Sequence, residues 1–227
     1  SGAHIPAWDG MEDAKLVALC DIRPEQMEKY PDKHHYERFD DMLDQESLDI
    51  LDICLPTYLH AEYAEKAMQR GTHVLCEKPV SLNTVDIPRL TETAAKHQVK
   101  FMVAQVLRFW PEYERIKDLY ENRQYGRLLS GSMSRLGCYP AWSWDGWMMD
   151  ERRSGLVPFD LHIHDLDFYT LTTTCCQIDI EKLFQHGFCT GHGFLREPND
   201  IASYAALACI AIQSNQNDQH GGQSIPN

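Results

Sequence analysis

The chain has 227 residues, a length that holds one or two domains and a sizeable apolar core without disulfides or metal. Hydrophobic residues at 43% and charged residues at 24% exclude wholesale disorder. Acids outnumber Lys and Arg by 34 to 21, and the resulting charge of −13, with no local basic cluster, argues against nucleic-acid and anionic-membrane partners. No run of 18 uncharged apolar residues is present, so no membrane span is expected. The opening SGAHIPAWDG has neither the basic nor the apolar region of a secretory signal, which makes the cytoplasm, with reduced thiols, the expected compartment.

In chain order, residues 16–21 (LVALCD) form a short apolar run closed by an acid, and 24–31 (PEQMEKYP) read as a short helix with Pro24 at its first position. A second run, 48–55 (LDILDICL), leads into Pro56-Thr57. Thr57 is placed to cap a helix over 58–70 that Gly71 stops. Residues 72–76 (THVLC) precede the break Glu77-Lys78-Pro79, a helix is expected from about 83 to 97, and a fourth apolar run lies at 99–107 (VKFMVAQVL). Short β-rich runs alternating with helical patterns specify βαβ units and a parallel sheet. Residues 111–122 look helical again, and the alternation of 127–139 (RLLSGSMSRLGCY) predicts a strand of a second, antiparallel sheet. A domain boundary is expected near 108–125.

Residues 172–227 differ in kind. They carry only seven charged residues in 56, hold half of the eight cysteines, and end in the polar stretch QSNQNDQHGGQSIPN. Only 201–211 (IASYAALACIA) has the apolar content of a buried element. The segment reads either as a disordered terminus or as one foreign to the fold before it, such as a shifted reading frame. Its Cys175, Cys176, His186, Cys189 and His192 are zinc ligands by type but fit no standard spacing. Cys20, Cys54, Cys76 and Cys138 stand singly, most of them in apolar runs, as small buried hydrophobes do.

Ligands of an open parallel sheet bind beyond the carboxyl ends of its strands, and three of those ends are chemically loaded. The first run stops at Asp21, where a carboxylate can accept both ribose hydroxyls of a dinucleotide and repel a 2′-phosphate; Arg23, two places on, could instead pair with that phosphate. The second run stops at Pro56-Thr57 with His60 a turn later. The third stops at Glu77-Lys78-Pro79, where Lys78 is held to hydrogen-bond a substrate hydroxyl, or else pairs with Glu77 at the surface. A further constellation is 158–168, PFDLHIHDLDF. As a helix it puts Asp160 and His164 at i and i+4, a carboxylate orienting an imidazole for proton transfer. As a strand, which the alternation of 159–164 slightly favours, Asp160, His162 and His164 point together in the manner of a zinc hydrolase.

The string THVLCEKPVSLN, preceded by DICLPTYLH and followed by VAQVLRFWPEY and the D-x-x-x-H motif at Asp160–His164, resembles the Gfo/Idh/MocA oxidoreductases over about residues 1–171. The resemblance implies an α/β fold: a Rossmann-like NAD(P)-binding parallel sheet over 1–108, then the start of an α/β substrate domain on an antiparallel sheet over 109–171, with 172–227 an atypical tail. It implies NAD or NADP as cofactor, a sugar, inositol or related polyol as substrate, and, for a full-length chain, a homo-oligomer. Lys78 would border the nicotinamide and contact the reacting hydroxyl, and His164 would be the general acid/base with Asp160 beside it. Asp21, Arg23, Pro56, Thr57, His60 and Glu77 would line the cofactor. Arg108 and residues 109–113 match the hinge into the second domain, with Arg108 also a candidate substrate contact. In the loop WSWDGW, Trp142 and Trp147 would stack on a sugar face or pack locally. By this analogy 158–168 is helical and no metal is expected.

The family's first strand and glycine-rich turn, whose amides cradle the pyrophosphate, have no counterpart ahead of residues 4–11, which match the first helix. The parallel sheet is therefore expected to lack a central member and to carry two unpaired edges. Nor does 172–227 resemble the family's later strands. A catalytically silent nucleotide-binding chain is the alternative to an active dehydrogenase, and a metal-dependent hydrolase through Asp160, His162 and His164 a third reading.

Overall fold

The computed structural model describes residues 2–126, 133 and 140–172. These form two compact units, the first comprising the described residues up to Leu55 and Leu59–Val103, the second Pro56–Tyr58 and the described residues from Ala104 on.

The first unit alternates helices and parallel strands. Its elements are α1 (His4–Asp9), β1 (Ala18–Cys20), β2 (His34–Tyr36), α2 (Phe39–Gln45), β3 (Ile50–Ile53), α3 (His60–Gln69), β4 (His73–Cys76), α4 (Asp86–His97) and β5 (Phe101–Val103). Two parallel sheets result, β1-β2 and β3-β4-β5, with Ala18 opposite His34, Ile53 opposite Cys76, and Cys76 opposite Val103. Among the described residues no ladder joins β1 to β3. Both sheets nevertheless feed one apolar core. Leu51, Ile53, Val74 and Cys76 meet Ala64, Ala67 and Met68 of α3 and Leu90 and Ala94 of α4, while Ala18, Cys20 and Tyr36 pack at its margin.

Helix α3 ends as its sequence demands. Gly71 sits at φ +82°, and the Gly71 and Thr72 amides donate to the Met68 and Ala67 carbonyls, closing a Schellman motif. Its start differs from expectation. A 3₁₀ turn over Thr57–Leu59 precedes the helix and no side chain caps it, so the role assigned to Thr57 as a cap is corrected. The helix expected over 24–31 is also absent beyond a 3₁₀ turn at Pro24–Gln26. Met27 is its only buried side chain, too little apolar surface to carry a helix past nucleation. Conversely, β2 and α2 were not legible, because His34-His35-Tyr36 shows no apolar run and depends on its ladder with β1.

The second unit, among the described residues, is helical: α5 (Pro111–Glu121), α6 (Glu151–Ser154), α7 (Leu156–Asp160) and α8 (His162–Thr172), with 3₁₀ turns at Val106–Phe109 and Trp144–Met149. Tyr113 of α5 packs edge-on against Phe168 of α8, ring centroids 4.7 Å apart. The strand predicted for 127–139 and the whole of 173–227, including the five candidate zinc ligands, lie outside the described residues.

Gly155 links α6 to α7 at φ +70°, and a Cβ built there would lie 2.5 Å from the Phe159 ring, itself buried. Gly155→Ala is therefore expected to lower stability by about 2 kcal/mol, from the left-handed backbone and the overpacked ring together. A urea titration of both proteins measures it.

Candidate active site at the strand ends

The carboxyl ends of β3 and β4 are tied together by two histidines. His60, first residue of α3 and 1% exposed, places Nδ1 at 2.7 Å from the Pro79 carbonyl and Nε2 at 2.7 Å from the Leu55 carbonyl. It thus joins the loop after β3 to the turn after β4. Its pKa falls below the ordinary value because burial disfavours the cation more than the two carbonyls favour it. His60 is accordingly enclosed by backbone, and whatever it contributes to a cofactor passes through the loops it holds.

His4 is the second. It projects from α1 with Nδ1 donating to Asp52 Oδ2 and Nε2 donating to Glu77 Oε1, each at 2.8 Å. Trp8, one helical turn on, donates its indole N–H to the same Asp52 oxygen at 2.6 Å, and the Cys54 thiol donates to Oδ1 at 3.6 Å. Two carboxylate acceptors require both ring nitrogens to carry protons, so His4 is an imidazolium, its pKa pushed up to about 12, first by Asp52. Asp52 and Glu77 are held below the usual carboxylate range by His4, despite their burial. The stability that His4 adds is complete below the imidazole's ordinary 6.5 and is lost only as pH climbs toward about 12. What the two acids add is lost on the other side, as pH falls through the carboxylate range.

Sequence reading assigned no role to His4 or Asp52, yet signals for both were present. An acid inside the apolar run LDILDICL must find a partner when that strand is buried. His4 and Trp8 are spaced i, i+4, and so reach one point from one helix face.

Lys78 follows directly. Its amide donates to Glu77 Oε2 at 3.1 Å, and its peptide bond to the buried Pro79 is cis. Pro56 is half-buried and Thr57 buried just past β3. Asp21, past β1, accepts from the Arg23 amide at 2.9 Å and from its guanidinium Nε at 3.2 Å, so the two residues form one local unit at that strand end.

In the second unit the segment 156–172 is helical, which corrects the strand reading. The helix is broken, however, with Asp160 closing α7 and His164 in the first turn of α8. Residues two apart on a helix point to opposite sides, so His162 and His164 do not present the paired face that a zinc hydrolase needs. His162 Nδ1 lies 3.4 Å from the buried Asp165 carboxylate. Arg108 grips Asp167 of α8 with its guanidinium fork, Nε at 2.7 Å and an Nη at 2.5 Å, so that its visible work is to brace the helix carrying His164. Trp142 is 77% exposed and Trp147 half-buried, on a loop whose Asp145 and Gly146 both adopt positive φ.

Among the described residues the one trio of metal-ligand type is His4, Asp52 and Cys54, with donor atoms within 4.8 Å of one another. The thiols of Cys20 and Cys76 are raised by burial, Cys20 to about 11, and so are poor nucleophiles. No described helix is long and apolar enough to cross a membrane.

Residues 1–105 match the family described as "Oxidoreductase family, NAD-binding Rossmann fold". Residues 154–227 match a second one, described as "Anaerobic ribonucleoside-triphosphate reductase". Myo-inositol 2-dehydrogenase of Thermotoga maritima is 27% identical over 182 residues, covering 78% of this chain and 52% of that protein. The crystal structure of an NAD-binding protein from Listeria innocua superimposes with a TM-score of 0.65 at 24% identity, covering 76% of this chain and 51% of that one. The Bordetella pertussis WlbA dehydrogenase, solved with NADH and UDP-GlcNAcA, gives 0.51 at 28% identity over 54% of this chain and 39% of that one. The chain spans between about a third and a half of the length of the curated relatives it matches.

An acid follows β1 and a lysine follows β4, residue types that could serve the ribose and nicotinamide ends of a dinucleotide, at the edge where such folds bind nucleotides. The cradle for its diphosphate is not among the described residues. Helix α1 starts at His4 behind Ala3, with no side-chain cap.

Proposed function

We propose that this chain is an oxidoreductase of the Gfo/Idh/MocA type, a reading the match over residues 1–105 supports, and that its chemistry is NAD(P)-dependent oxidation of a secondary alcohol on a sugar, inositol or related polyol. The observation that supports this reading is the Glu77-Lys78-Pro79 turn, held past β4 by the His4–Glu77 and His60–Pro79 contacts at the strand end where such folds bind their ligands. The bound cofactor supplies the two-electron redox chemistry, accepting the hydride from the carbinol carbon. Lys78 hydrogen-bonds the substrate oxygen and stabilises the negative charge that grows on it. His164 takes the hydroxyl proton, and Asp160 supports the imidazole. Asp21 receives the adenosine ribose hydroxyls, and Arg23 sets the balance between NAD and NADP. Trp142 and Trp147 offer apolar ring faces to a sugar.

The match over 154–227 favours a second reading for the tail. An alignment over 78% of a 227-residue chain cannot omit residues 154–172, so α8 lies within both similarities. On this reading the dehydrogenase-like part gives way at or near α8 to a segment of reductase type. The charge-poor, cysteine-rich composition from 172 on agrees with it.

Titration with NADH, followed by nicotinamide fluorescence, tests both. The full chain and a variant ending at Thr172 are expected to bind with the same affinity to within about twofold, in the micromolar range. Binding weaker than about a millimolar in both would instead support a catalytically silent chain. Loss of binding only on truncation would return 173–227 to the dehydrogenase fold.

A further inference from the structure

We propose that His4 is a positioning residue for the strand-end site, bridging Asp52 and Glu77 so that the Glu77 carboxylate is fixed and the backbone of Lys78 is held by it. The inference rests on the assignment of Lys78 to the reaction, but its geometry does not. The chain of contacts is continuous: His4 Nδ1 to Asp52 in the middle of β3, His4 Nε2 to Glu77 Oε1, and Glu77 Oε2 to the Lys78 amide. Asp52 cannot swing away, because Trp8 and Cys54 also donate to it. Leu51 and Ile53 on either side are buried in the core, which turns Asp52 toward the opposite face, where α1 lies. The α1 helix is thereby fastened to β3 and to the turn after β4 by one cation between two anions, a half-buried ion triad in which the imidazolium satisfies both acids.

A neutral residue cannot repeat this. Glutamine carries its donors on a single nitrogen and reaches one carboxylate, leaving Asp52 and Glu77 as two half-buried anions without the charge between them. Glu77 would then turn outward to water, and the Lys78 amide would lose its acceptor. Two of these side chains, with Cys54, suggest a competing use, a metal bound by His4, Asp52 and Cys54. The Trp8 donor on the shared Asp52 oxygen favours the proton over the ion.

Two arms test the proposal on the full chain. In the first, ¹⁵N spectra of the imidazoles at pH 8 are expected to show both His4 nitrogens protonated, and His4→Gln and Glu77→Gln each to speed hydrogen exchange of the Lys78 amide by about tenfold. A neutral His4, an unchanged Lys78 amide, or one equivalent of zinc retained through gel filtration overturns it. In the second arm, polyol-dependent NADH formation by His4→Gln is expected to show a tenfold lower kcat, with KM and NADH affinity within twofold of the parent. A parallel loss in all three constants overturns the positioning role. A parent chain that binds NADH without turnover counts against the dehydrogenase reading and leaves the first arm to decide the role of His4.

Discussion

Replacing Lys78 or His164 by alanine is expected to lower polyol turnover by at least about a hundredfold, with NADH affinity within about threefold of the parent chain. The size follows from the step each residue serves. On the proposed reading both would act on the alcohol oxygen as charge and proton leave it, so their contribution would be realised in the transition state and not in cofactor binding. Several contacts that hold the scaffold at these positions lie outside the two side chains. The Lys78 backbone is held through Glu77, and the Pro79 carbonyl through His60. Helix α8 is braced by the Arg108–Asp167 fork and the Tyr113–Phe168 ring pair, which His164→Ala leaves in place. Initial rates followed by nicotinamide absorbance measure the effect, and parent-like turnover in both variants would remove the assignments. A split result is informative as well: loss in Lys78→Ala alone would assign α8 to the reductase-like segment.

The second large effect is on stability. His60→Ala is expected to cost about 3 kcal/mol or more, read as a shift in the urea midpoint. Loss of the 1% exposed ring, which as a neutral imidazole donates to one of the Leu55 and Pro79 carbonyls, leaves that acceptor without its donor together with a cavity between α3 and the strand ends. The sign of its pH dependence is also fixed. Because burial lowers the His60 pKa in the folded chain, the unfolded chain takes up the proton first as pH falls below 6.5, and the folded state loses ground there. His60→Ala removes that acid-side loss, so its stability should vary less than the parent's between pH 7 and 5. An equal slope in both proteins would show that the ring is already charged when folded.

The parallel α/β design was legible from apolar runs alone, because β3 and β4 each bury two side chains within apolar runs bounded by proline, glycine or charge. The Gly71 stop was legible for the same local reason. What escaped was everything that depends on partners distant in sequence. His34–Tyr36 has no pattern of its own and is a strand only beside β1. The His4–Asp52–Glu77 bridge spans 73 residues of sequence and joins three elements, so no motif window contains it. At 158–168 period-two alternation pulled toward a strand, whereas the helices that form are interrupted at Leu161 and pack Phe159 and Phe168 inward. The D-x-x-x-H spacing therefore does not translate into one continuous helical face.

The separation of β1-β2 from β3-β4-β5 has a consequence for handling the molecule. Two short rows of backbone amides and carbonyls, one along β1 and one along β3, find no ladder partner among the described residues although their side chains share a core. Such rows accept any extended peptide that offers the complementary register. In concentrated solution the expected outcome is self-association through added strands, which the net charge of −13 opposes at low ionic strength and salt unmasks.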